Sequence, residues 1–110
     1  MTQGKVVRVV GVYRDPGLIE RIMGTLRRLW VDVEWINGKI EGNTMEIHMK
    51  LKDSKNLKLA ILNISKTVDV ERVDVLEETE AEKEGNKQVG ECFSTLYKRI
   101  ATYTWGEEVS

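Results

Sequence analysis

Residues 44–51 read Thr-Met-Glu-Ile-His-Met-Lys-Leu, an unbroken alternation of polar and apolar side chains. In an extended chain Met45, Ile47, Met49 and Leu51 fall on one face, and Thr44, Glu46, His48 and Lys50 on the other. A strand patterned this way needs a cover on one side only. That requirement limits what the rest of the chain can be.

The flanking segments meet it. Lys5 to Tyr13 reads as a strand, with Val6, Val7, Val9, Val10 and Val12 nearly continuous, as suits a central position. Leu18, Ile19, Ile22, Met23, Leu26, Leu29 and Trp30 recur at helical spacing and predict a helix from Leu18 to Trp30. Val31, Val33 and Trp35 alternate with Asp32, Glu34 and Ile36, a second strand reaching Ile40. Trp30 and Trp35 are expected in the core, with a dimer seam as the alternative place for Trp35. Glu41–Gly42–Asn43 makes the turn into Thr44. Asp53 and Ser54 can cap a second helix running to about Lys66, with Leu57, Ala60, Ile61 and Ile64 inward. Val70 to Leu76 supplies a fourth strand. The order predicts an α+β, ferredoxin-like βαββαβ fold, with helices on one face of a four-stranded antiparallel sheet.

The character then changes. Glu77 to Gly85 holds five glutamates and one lysine and reads as a solvated linker. Beyond it Val89, Cys92, Phe93, Leu96, Tyr97, Ile100 and Tyr103 form a helical stripe. They predict an amphipathic helix from about Asn86 to Tyr103, whose apolar face must be buried: in a dimer of the chain by preference, else on a catalytic subunit or on the chain's own open sheet. The chain thus divides into a domain over residues 4–78 and an acidic linker with a C-terminal amphipathic helix over residues 79–110.

Composition narrows the partners. A formal net charge of −1 over 110 residues lacks the basic footprint of a nucleic-acid binder. Base stacking on the central strands would have little beyond Tyr13, Met45, His48 and Met49 to use. The single cysteine excludes an internal disulfide framework and fits a reducing compartment. No apolar run is long enough to cross a membrane, and Met1 to Lys5 has no signal-peptide character. A cytoplasmic protein with no membrane partner is expected.

The segment with chemical interest is Arg14–Asp15–Pro16–Gly17–Leu18, between the first strand and the first helix. Asp15 can cap the helix and Pro16 suits its first turn. Gly17 removes a side chain where backbone N–H groups are unpaired, and such groups attract a carboxylate. An apolar pair, Leu18–Ile19, follows. A small amino acid would need this combination, although any well-capped helix uses the same residues. Catalysis finds less support. Asp15, Asp32 and Glu34 have no nucleophile fixed beside them. His48 is the only histidine, too few for a metal site, and Cys92 belongs to the apolar stripe. Gly11 to Pro16 lacks the glycine-rich cradle of an acylphosphatase-like phosphate loop. No catalytic residue, metal or cofactor is expected of the chain itself. Gly24, inside the first helix at a cost of about 1 kcal/mol relative to alanine, suggests close approach of another element or a ligand.

Gly17–Leu18 is followed by Arg21–Ile22–Met23–Gly24 and then by Asp32–Val33–Glu34. Thr44–Met45–Glu46–Ile47 and Val68–Asp69–Val70, with Val73 beyond, complete an ordered set. In that set, over roughly Lys5 to Glu78, the chain resembles an ACT domain. More narrowly, it resembles the small regulatory subunit of acetohydroxyacid (acetolactate) synthase. The resemblance implies a non-catalytic subunit that activates the thiamine-diphosphate-dependent catalytic subunit. It also implies feedback control by a branched-chain amino acid: valine, isoleucine or leucine. It implies a homodimer through the second strand and first helix. The effector would lie between Arg14, Asp15, Pro16, Gly17 and Leu18 of one copy and Asp32, Val33 and Glu34 of the other. The family often has asparagine at the positions of Arg14 and Asp32. Arg14 could hold the effector's carboxylate and Asp32 its ammonium group, or the two could pair and fill the site. The alternative reading is a free-standing ACT module that senses another small molecule or regulates a different enzyme.

Overall fold

The computed structural model describes residues 4–78 and 97–109. Six elements come in the expected order: β1 (Lys5–Val12), α1 (Gly17–Arg28), β2 (Val33–Glu41), β3 (Thr44–Leu51), α2 (Leu57–Ser65) and β4 (Val70–Glu78). β5 (Tyr97–Thr104) and β6 (Glu107–Glu108) follow. The described strands form one antiparallel sheet in the order β2-β3-β1-β4-β5-β6.

β1 occupies the middle, as its β-branched run requires. Val7 lies opposite Met49 on β3 and Val75 on β4, and Val9 opposite Ile47 and Val73. These side chains share one core with Leu18, Ile22 and Leu26 of α1 and with Leu57, Ala60, Ile61 and Ile64 of α2. Each such aliphatic side chain contributes about 1.5–3 kcal/mol on burial. Both helices therefore cover one face. Asn56 joins them, its Nδ2 donating to the Leu29 carbonyl at 2.9 Å.

Three expectations are corrected. The first concerns Trp30. α1 ends at Arg28, and Trp30 adopts φ 59°. The Trp30 N–H donates to the Arg27 carbonyl, and the Val31 N–H to the Leu26 carbonyl. That is a Schellman closure with tryptophan in the left-handed slot usually held by glycine. The reversal sends Val31 into the core and leaves Trp30 85% exposed.

The second concerns Trp35. β2 carries one extra residue, Glu34, between Val33↔Leu51 and Trp35↔Lys50. This bulge flips the alternation. Trp35 shares the open face with Lys50, while Ile36 and Ile40 turn to the helix face beside Met49 and Met45.

The third concerns the C-terminus. Residues 97–103 of the expected helix are strand, so the described sheet has six strands rather than four. The expected linker also starts late, because Glu77 and Glu78 extend β4. β5 is bulged against β4, with Val75 opposite Ala101 but Leu76 opposite Arg99. Ile100 is the extra residue, so the polar–apolar alternation of a strand breaks there. The rest of the linker, the first part of the expected helix and Cys92 lie outside the described residues. Gly24 also differs from expectation: a Cβ there would meet only Arg28 Nη1, at 3.6 Å, an ordinary contact.

The open face is held by a polar network. Asp74, 1% exposed, accepts at Oδ2 from Arg8 Nε at 2.9 Å and Arg72 Nε at 3.2 Å. Its Oδ1 accepts from Thr102 Oγ1 at 2.8 Å, and that hydroxyl accepts from Arg99 Nη1 at 2.9 Å. The network thus ties β5 to β4 and β1. Burial alone would push the Asp74 carboxyl up. The Thr102 hydroxyl and the Arg8 and Arg72 guanidinium groups outweigh it and hold the carboxyl below its ordinary value.

Asp74→Asn is expected to destabilise the fold by about 1–3 kcal/mol at pH 7, the scale of charge-assisted bonds. Because the folded pKa is depressed, this contribution is full above the usual carboxyl range near pH 4. It is lost as pH falls through Asp74's own lower value. Denaturant unfolding of both proteins at pH 7 and in acid checks this: the gap between them should close in acid.

Candidate functional site

β1 ends at Val12, and the next residues are held before the helix begins. The Val12 N–H donates to the Asp69 carbonyl at 2.8 Å, and the Tyr13 N–H to the Asn43 carbonyl at 2.7 Å. The chain then turns through Arg14, Asp15 and Pro16, all exposed. Asp15 Oδ1 accepts from the Gly17 N–H at 2.7 Å, so a carboxylate of the chain itself serves the start of α1. The Asp15 carbonyl accepts from Leu18 N–H, and the Pro16 carbonyl from Glu20 N–H. A Cβ on Gly17 would lie 2.8 Å from that Asp15 oxygen and 3.2 Å from Arg21 Nη1. Gly17 keeps the space that the capping carboxylate fills.

The side chains of the loop divide. Leu18 is in the core, whereas Ile19, one residue on, is exposed. Ile19 stands over the edge strand. With Ile36, Gly38, Ile40, Met45 and Ile47 it lines an open apolar groove of about 340 Å³. Ile36 and Ile40 are there because of the Glu34 bulge. Arg14 Nε donates to Asp69 Oδ1 at 2.9 Å, and Arg21 Nη2 lies 3.5 Å from Asp69 Oδ2. Asp69, Arg21, Ile36 and Ile40 are not in the set that the sequence marks. For Asp69 the signals are its place in the Val68–Asp69–Val70 motif and its being an aspartate in the turn before β4, a residue that tolerates left-handed backbone.

The other expected residues lie at the far end of the sheet. Asp32 is exposed, and its carbonyl accepts from Lys52 N–H at 2.9 Å. Val33 is half-buried. Glu34 is the bulge residue, 4.0 Å from Lys50 Nζ. Val33 pairs with Leu51, which pairs with Lys5 at the start of β1, whereas Arg14 follows the end of β1. At about 3.4 Å per residue the separation is roughly 30 Å. One chain does not bring the two groups together.

A second concavity, also about 340 Å³, lies between α2 and β5 over Leu57, Ile61, Val75 and Tyr103. His48 is on the open face, 3.7 Å from Glu46. Burial holds its pKa below the usual value, and Arg8 and Lys39 add to this against the pull of Glu46. Among the described residues no group of three or more His, Cys, Asp or Glu side chains is placed to hold a metal ion. No helix among them is long and apolar enough to cross a membrane.

Comparison with known proteins bears on this geometry. The family model for the ACT domain matches residues 14–73, more than half of the chain. Nine solved chains are similar. One is the crystal structure of the ACT domain from the GTP pyrophosphokinase of Chlorobium tepidum. It is 15% identical, with 69% of this chain and 100% of that chain covered and a TM-score of 0.60. The likeness is one of fold. No curated protein sequence matches.

Asp15→Ala should remove the cap of α1 and cost about 1 kcal/mol, and Asp15→Asn much less, because asparagine caps nearly as well. Denaturant unfolding midpoints of the two variants against wild type measure the difference.

Proposed function

The chain belongs to the ACT domain family, and from that premise we propose that it is a non-catalytic regulatory subunit of acetohydroxyacid synthase. In this reading it activates the catalytic subunit and confers feedback control by a branched-chain amino acid bound between two copies. The observation that carries the reading is the edge strand β2. One side of it is unpaired within the described sheet, and its helix face exposes Ile36 and Ile40 beside Ile19 of α1. Exposed edges of this kind recruit further strands.

A two-fold axis beside β2 would pair it antiparallel with its own copy, an isologous contact. Val33 of one copy would then lie near Glu41 of the other, at the end where the first loop stands. The roughly 30 Å offset along the strands would disappear across the pair, leaving three strand spacings, about 14 Å, for the effector and the side chains of the first loop to span. Arg14 would meet the effector's carboxylate, Asp32 and Glu34 of the second copy its ammonium group, and the isoleucine groove its branched side chain. The resemblance in Gly17–Leu18, Arg21 to Gly24 and Asp32 to Glu34 supports the choice of enzyme.

The second reading is a free-standing module that senses another small molecule or regulates a different enzyme. Arg14 and Asp32 favour it, because the family often has asparagine at both positions.

The test is acetolactate formation by the catalytic subunit of the same host, with and without the chain, each with and without valine. Stimulation that valine reverses is the expected result. No stimulation overturns the reading in favour of the second. Ile36→Asp places a charge in the proposed seam. It should convert the dimer to a monomer in sedimentation and remove the response to valine.

A further inference from the structure

Asp69 lies between α2 and β4 with φ 74°, in the left-handed region, which aspartate tolerates better than most residues. Two features hold it there. Its carbonyl accepts from the Val12 N–H at 2.8 Å. Gly11 leaves the room in which that carbonyl lies, and a Cβ on Gly11 would collide with it. The backbone so fixed aims the carboxylate at the first loop, where it meets Arg14 at 2.9 Å and Arg21 at 3.5 Å. The two partners of the shorter contact differ in freedom. The Asp69 side chain is 13% exposed and that of Arg14 68%. The acid is anchored, and the base stands in solvent.

We infer that Asp69 is an internal competitor for the effector's carboxylate and sets the affinity of the site through Arg14. The inference rests on the reading of Arg14 to Leu18 as half of an amino-acid site. An arriving carboxylate takes the Arg14 guanidinium from Asp69, one charge-assisted pair exchanged for another. Asp69 is not stranded by the exchange, because Arg21 stays beside it and also donates to the Val68 carbonyl at 3.4 Å. The net gain is the small difference between two similar pairs. The same geometry sets a ligand class. The ligand's side chain would enter the groove of Ile19, Ile36, Ile40, Met45 and Ile47, whose lining is apolar but for Lys39, so an apolar chain fits it best. The site takes zwitterions with one carboxylate and an apolar side chain, and it rejects acidic amino acids.

The test is titration calorimetry of the full chain with valine and with glutamate, on wild type, Asp69→Asn and Asp69→Gly. Both substitutions tolerate a positive φ. Asparagine keeps the shape without the charge, and glycine removes the side chain, so one variant remains if the other folds poorly. Both should bind valine about two- to fivefold more tightly than wild type, the size of an exposed ion pair. The gain should vanish when Arg14→Gln is added, and glutamate should bind wild type least. Valine binding by wild type with no gain in either variant overturns the inference and leaves the amino-acid site standing. A gain that survives Arg14→Gln overturns it as well. No valine binding by wild type or any variant removes the site and the inference together.

Discussion

Val7 and Val9 touch what every other element is built around. Each is flanked by partners on β3 and β4, and both helices close over the same row. Once that row is fixed, the other face of the sheet must be polar or find another cover. Its centre is polar, with Arg8 opposite both His48 and Asp74, and Val6, Val10 and Leu76 are buried beside them. The buried carboxylate of Asp74 then serves two ends. It neutralises the arginines of the central strands, and through Thr102 it fastens β5, so the added strand continues the sheet.

The same row decides what the edge can do. β2 lies outermost, beyond β3. The single extra residue at Glu34 turns Ile36 and Ile40 toward the helix side, where α1 presents Ile19. Without the bulge those isoleucines would lie on the polar face and Trp35 on the other. The apolar groove, the strand edge left unpaired among the described residues and the loop of Arg14 therefore lie on one flank of the sheet. The second half of the proposed site is at the wrong end of that flank for one chain and at the right end for a two-fold pair.

The central fold was legible because two segments carry unambiguous periods. Thr44 to Leu51 alternates without error, and Lys5 to Tyr13 is β-branched almost throughout. What could not be read came from single-residue irregularities and distant pairings. Bulges at Glu34 and Ile100 each shift the period by one residue. The first disguised the facing of Trp35, and the second broke the alternation that marks a strand. Ile100 to Thr104, rich in β-branched and aromatic side chains, held the contrary signal. Trp30 was misplaced because tryptophan rarely occupies a helix-closing left-handed position. In the site, the Asp15 cap is local and was visible in the sequence. The Asp69 partner of Arg14 is 55 residues away, and only the pairing of β1 with β4 brings it near.

The central claim is that the first loop of one copy meets the start of β2 in another. Its most direct measurement is a cross-linking experiment between differently tagged copies, one Arg14→Cys and one Asp32→Cys, both with Cys92→Ser. A short bis-maleimide should join them into a covalent heterodimer, while Arg14→Cys mixed with Lys58→Cys, at an exposed position on α2, should not be joined. If the first pair yields no more heterodimer than the second, the two halves do not meet, and the account of a shared site is contradicted.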